Sequence, residues 1–153
     1  MAVISFGNPL RGDDAAGDYF ILYFNSLLRL NYKKNIKVVK GRDLLDLINL
    51  LLEHDVVYCV DCADFKGEPG EYKRVEIDEM ASQDLSVSSF HLINFNELRK
   101  VMNIMGVKDK KLVFFFIQPS SMEFSEETDV RVKKSAENIA REILNDVDVL
   151  CES

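Results

Sequence analysis

Cysteine is scarce in this chain: three residues, an odd number, with no disulfide-framework spacing, so no bridged scaffold is expected. Histidine is scarcer, with two. No long uncharged apolar run occurs, which excludes a transmembrane helix and a membrane partner. The N-terminus lacks a basic leader and enters an apolar run at once, so the expectation is a chain without a signal peptide, placed in the cytoplasm. Basic charge is also lacking. A net charge of −7 argues against a nucleic-acid backbone as partner. There is no G-x-G-x-x-G order and no Gly-Lys-Ser/Thr loop. The end of the second predicted strand carries Lys40, Gly41 and Arg42 rather than an acid for a ribose, which disfavours nucleotide binding. No internal repeat, linker or low-complexity tract interrupts the 153 residues, and the length suits one domain over 1–153.

What is present is organised around Gly7 to Gly17, reading Gly-Asn-Pro-Leu-Arg-Gly-Asp-Asp-Ala-Ala-Gly. It follows the apolar run Ala2 to Phe6 and leads into helical periodicity, which predicts strand, turn, helix. Gly7 and Gly12 free the backbone and Pro9 stiffens the turn. One of Asp13 and Asp14 is expected to cap the helix, and the other to point into the crevice at the carboxyl end of the strand.

The pattern then predicts helix one over 14–30, strand two over 36–40 and helix two over 43–52. Strand three spans 56–60 and is wholly apolar, as befits burial on both faces. A loop over 61–70 follows, then an edge strand over 71–77 paired with strand three. Asn94 or Asn96 caps helix three, and Gly106 ends it. Strand five spans 112–117. Ser125 caps a last helix with Val132, Ala136, Ile139, Ala140 and Ile143 inward. Cys59 and Cys62 read as strand residues packing as small hydrophobes, Cys151 as part of a frayed tail, and His54 as a helix C-terminal residue. Strands alternating with helices imply a mostly parallel sheet with helices on both faces, and its binding crevice lies at the carboxyl ends of the strands.

Three polar residues stand out there: Asp14 after strand one, Asp61 after strand three, and His91 at the end of a serine-rich loop. An acid after a buried strand also serves as a cap or loop closure, and a lone histidine as a satisfied surface or core residue. If the loops share one rim, two carboxylates and an imidazole suit a borderline divalent cation such as zinc, nickel, cobalt or iron, with open positions for water. Open positions are what metal-assisted hydrolysis requires.

The run GNPLRGDDAAG resembles the N-terminal signature of the hydrogenase maturation endopeptidases, which trim nickel–iron hydrogenase large subunits. Asp61-Cys62-Ala63-Asp64 with Gly67-Glu68-Pro69-Gly70 is similar to the second signature. Ser89-Phe90-His91 before Asn96-Glu97-Leu98 is similar to the third, and Ile117-Gln118-Pro119 before a Ser-Glu-Glu helix start to the fourth. Together they span essentially the whole chain. The resemblance implies a three-layer α/β/α fold with a twisted, mostly parallel five-stranded sheet, phosphorylase/hydrolase-like. It implies an aspartic-type endopeptidase whose catalytic and metal-binding triad is Asp14, Asp61 and His91. The ion would be nickel carried by the substrate, other divalent cations being possible. The implied partner is a nickel-loaded large-subunit precursor, cut once near its C-terminal cysteine motif. The metal either activates water or only recognises the loaded precursor, and Asp13, Asp64 or Asp61 accepts the proton. The competing reading is a metal-sensing module that binds the precursor without cutting it. Ser5, Ala15 and Phe116 depart from the family pattern, where glycine is common; Ser5 and Ala15 bear on loop shape and specificity more than on the triad. Gln118 and Pro119 either line the crevice or turn the chain, and the turn is the favoured reading.

Overall fold

The strands are β1 (Ala2–Ser5), β2 (Lys37–Lys40), β3 (Val56–Asp64), β4 (Tyr72–Glu76), β5 (Ser88–Ser89) and β6 (Lys111–Ile117). The helices are α1 (Ala16–Leu30), preceded by a 3-10 turn over Gly12–Ala15, α2 (Leu44–Glu53), α3 (Phe95–Ile104) and α4 (Val130–Glu152). They are seen in a computed structural model that describes residues 1–8, 12–30, 35–78, 88–89, 95–121 and 127–152, with 88–89 and 151–152 as backbone alone. The main sheet runs β2-β1-β3-β6-β4. β1, β2, β3 and β6 are parallel, and β4 is antiparallel to β6.

The most apolar runs take the centre. β3 pairs with β6 from Val56 against Lys111 to Cys62 against Ile117, and both are buried along nearly their whole length. Alternation then divides the core into two layers. Ala2, Ile4, Cys59, Phe114 and Phe116 face α2 and α3, meeting Leu47, Leu51, Leu98 and Met102. Val3, Tyr58, Val60, Phe115 and Ile117 face α1 and α4, meeting Phe20, Phe24, Ala136, Ile139 and Ile143. Phe114 and Phe116 stack at 5.3 Å, and Phe95 of α3 meets both edge-on. Phe116 thus fills a layer that glycine would leave open. The layers are those of the expected α/β/α architecture. No helix among the described residues is long and apolar enough to cross a membrane.

Several expectations need correcting. β3 does not stop at Val60. Its ladder with β6 continues to Cys62, and Ala63 and Asp64 pair antiparallel with β5, so Asp61 lies inside a strand rather than in a loop. β4 pairs with β6 and not with β3, because the later parallel strand β6 inserts between them. Asn96 lies inside α3, and Asn94 falls outside the described residues. The last helix starts at Val130. Asp129 caps it, accepting the Arg131 N–H at 2.8 Å while its carbonyl takes the Lys133 N–H; Ser125 lies outside the described residues. The Arg131 guanidinium beside Asp129 holds that carboxyl down at about 2. α4 continues to Glu152, so Cys151 is helical backbone and not a frayed tail. His54 caps α2 at its C-terminus as expected.

Candidate active site

The site is built where β1 ends beside β3. A Cβ on Gly7 would stand 2.3 Å from the Asp14 carbonyl oxygen, and one on Gly17 2.2 Å from that of Phe6. Only glycine tolerates such closeness, so the end of β1 lies directly against the turn that opens α1. Ser5 uses its hydroxyl here, donating to the Gly17 carbonyl at 3.2 Å. The 3-10 turn packs on β3.

This geometry separates the two acids of the doublet. Asp14 is 1% exposed, and its Oδ2 accepts the Asn8 N–H at 2.9 Å. Asp13 is 2% exposed but turns away from helix capping. Its Oδ2 accepts the Ser120 N–H (2.6 Å), the Ser120 hydroxyl (2.7 Å) and the Ser121 N–H (3.1 Å). Its Oδ1 accepts the Asp129 N–H at 2.6 Å.

Asp61 is 1% exposed. It lies between Cys59 and Ala63, which belong to the layer facing α2 and α3, so alternation directs it to that face. Both buried thiols lie near these acids. Burial pushes the Cys62 thiol well up, and the charges of Asp61, Asp14 and Asp13 push it further. Cys59 is raised by burial and by Asp61. Both cysteines are therefore inert strand residues, as expected.

Asp64 and Gln118 brace the loop after β3. Gln118 accepts the Phe65 N–H at 2.9 Å and the Gly67 N–H at 3.2 Å, and donates to Asp64 at 3.3 Å. Gln118 is thus a loop brace. Asp64 pairs with Lys66 at 2.6 Å, and this cation holds its carboxyl below the usual range. Asp13 and Asp64, two of the three carboxylates considered as proton acceptor, make these contacts.

His91 lies outside the described residues. The nearest described residue before it is Ser89, which pairs with Ala63, two positions beyond Asp61. Among the described residues no group of three or more His, Cys, Asp or Glu is placed to hold a metal ion. The sequence reading missed the cross-links of Asp13, Ser120 and Asp129. Its only signal was an acidic doublet with one acid more than a cap needs.

Comparison with known proteins adds to this geometry. A family model described as HycI, hydrogenase maturation protease, matches residues 24–146, a stretch that holds Asp61 and His91 and begins after Asp14. Hydrogenase expression/formation protein HupD of Rhizobium leguminosarum bv. viciae is 28% identical over 125 residues. These are 80% of this chain but 61% of HupD, so the match spans less than two thirds of that relative. The [NiFe] hydrogenase maturation protease HycI from Thermococcus kodakarensis KOD1 superposes with a TM-score of 0.69 at 27% identity, over 93% of this chain and 88% of that one. The [NiFe] hydrogenase maturation protease HybD from Thermococcus kodakarensis shares the fold, with a TM-score of 0.68 at 22% identity over 95% and 97% of the two chains.

Proposed function

The chain belongs to the hydrogenase maturation protease family, and from that membership we propose that it is an endopeptidase removing the C-terminal extension of a nickel-loaded hydrogenase large-subunit precursor. The nickel arrives as part of the substrate. Asp14, Asp61 and His91 are assigned as its protein ligands. The observation that carries this reading is the burial of Asp14 and Asp61, each 1% exposed, where β1 ends beside β3. Buried carboxylates are costly unless their charge is answered. A divalent cation adds to the partners these acids already have within the protein, and carboxylate oxygens with an imidazole suit nickel. The pairing of Ser89 with Ala63 brings the chain preceding His91 to the same end of β3.

The chemistry follows from these positions. Bound nickel supplies Lewis-acid polarisation at the scissile peptide. The protein must hold that peptide against the rim and take a proton from the attacking water. Asp61, a buried acid at the sheet's carboxyl end, is assigned the proton. The water oxygen bonds to the carbonyl carbon as one C–N bond breaks, and the proton held by Asp61 passes to the leaving amine of the short extension.

Incubation with nickel-loaded precursor tests the reading. A mass loss equal to the extension supports the protease. A stable complex without cleavage supports a metal-sensing module instead. Asp61→Asn is expected to abolish cleavage while the protein stays folded, and retained processing would remove Asp61 from the site.

A further inference from the structure

The carboxylate of Asp13 is surrounded by donors. Three reach Oδ2 from Ser120 and Ser121 and one reaches Oδ1 from Asp129. Both oxygens must therefore accept. A carboxylate does this, whereas an amide would turn an NH2 group toward one of the N–H donors. The backbone around Asp13 is fixed as well. Its N–H donates to the Ser121 carbonyl at 3.2 Å, its carbonyl accepts the Cys62 thiol at 3.3 Å, and the Gly12 carbonyl accepts the Thr128 hydroxyl at 3.2 Å. The residue just before Asp14 is thus tied to β3, to the connection after β6 and to the start of α4. The same connection holds the other side of the site, because Gln118 accepts from Phe65 and Gly67 just beyond β3.

We propose that Asp13 is a positioning residue: through Ser120, Ser121 and Asp129 it fixes Asp14 relative to Asp61, and it touches no substrate. The role rests on the protease reading for its consequence in catalysis, but its structural basis can be measured separately. The reporter is the Asn8 N–H, which donates to Asp14 and not to Asp13. In Asp13→Asn, hydrogen exchange at Asn8 is expected to accelerate at least roughly tenfold while interior amides of α4 keep their protection. With nickel-loaded precursor, kcat is expected to fall on the order of 10²-fold, the usual cost of a misplacement of about 1 Å, with KM unchanged. A purely structural brace would loosen Ser120, Ser121 and Asp129 without moving either Asn8 or the split between kcat and KM. A folded Asp13→Asn protein with wild-type exchange at Asn8 would overturn the proposal, whatever its kcat. If Asp13→Asn does not fold, Asp13→Glu carries the test. It keeps two acceptor oxygens on a longer arm and should move both readouts in the same direction, and wild-type values for both would overturn the proposal. A wild-type protein that fails to cut the precursor sinks the protease reading alone, since the exchange arm decides the positioning by itself.

Discussion

The two ends of the sheet treat their acids in opposite ways. At the amino end, Asp55 is 92% exposed and pairs with Lys110 at 2.5 Å, and Glu53 pairs with Lys37 at 2.6 Å with more than half of its side chain in water. At the carboxyl end, Asp13, Asp14 and Asp61 are all at most 2% exposed. Exposed ion pairs trade one well-solvated arrangement for another and contribute little. Burial makes a carboxylate depend on whatever faces it. The contrast teaches where sequence change should be tolerated and where it should not, and four experiments test it.

The largest effect is expected on turnover. Asp61→Asn should lower precursor cleavage by roughly 10²–10⁴-fold, the range of a lost proton acceptor, as read by mass spectrometry of the product. Its melting temperature should stay close to that of the parent. Next comes stability. Asp13→Ala leaves four donors unanswered and should cost on the order of 3 kcal/mol in urea unfolding; a cost near zero would place Asp13 with the surface acids.

A smaller effect concerns pH. Cys59 and Cys62 are raised well above the ordinary thiol value of 9.0 by burial and nearby acids. The folded state therefore keeps protons that the unfolded chain releases. The contribution of the two thiols to stability should be level below pH 9 and decline as pH rises beyond it, by at most about 1.4 kcal/mol per pH unit for each thiol. Cys62→Ala should flatten part of that decline in urea midpoints taken across the range, and an unchanged slope would contradict the role given to the acids around it. The smallest effect belongs to the amino end, where Lys110→Met should leave the urea midpoint unchanged and its salt dependence slightly weaker.

Much of the fold was legible because periodicity reports burial. The apolar runs at 56–60 and 112–117 read as central strands, and the stripe Val132, Ala136, Ile139, Ala140 and Ile143 as a face turned to a sheet. The partner of β4 was not legible, because a strand's neighbour depends on a later segment that its own residues do not mention. Asp61 was placed one step wrongly for a related reason. A polar residue in an apolar run reads as the end of a strand, yet the β6 ladder carries β3 past it. The task of Asp13 could not be read, since its partners lie more than a hundred residues away, and Asp129 caps α4 from a position that the Ser-Glu-Glu motif obscured.

The central claim is that Asp14, Asp61 and His91 reach one ion. A crystal structure of the chain soaked in nickel(II) addresses it directly. The account predicts a single ion held by a carboxylate oxygen from each aspartate and by an imidazole nitrogen of His91. An ion bound elsewhere, with His91 on the far side of the sheet from both aspartates, would contradict it.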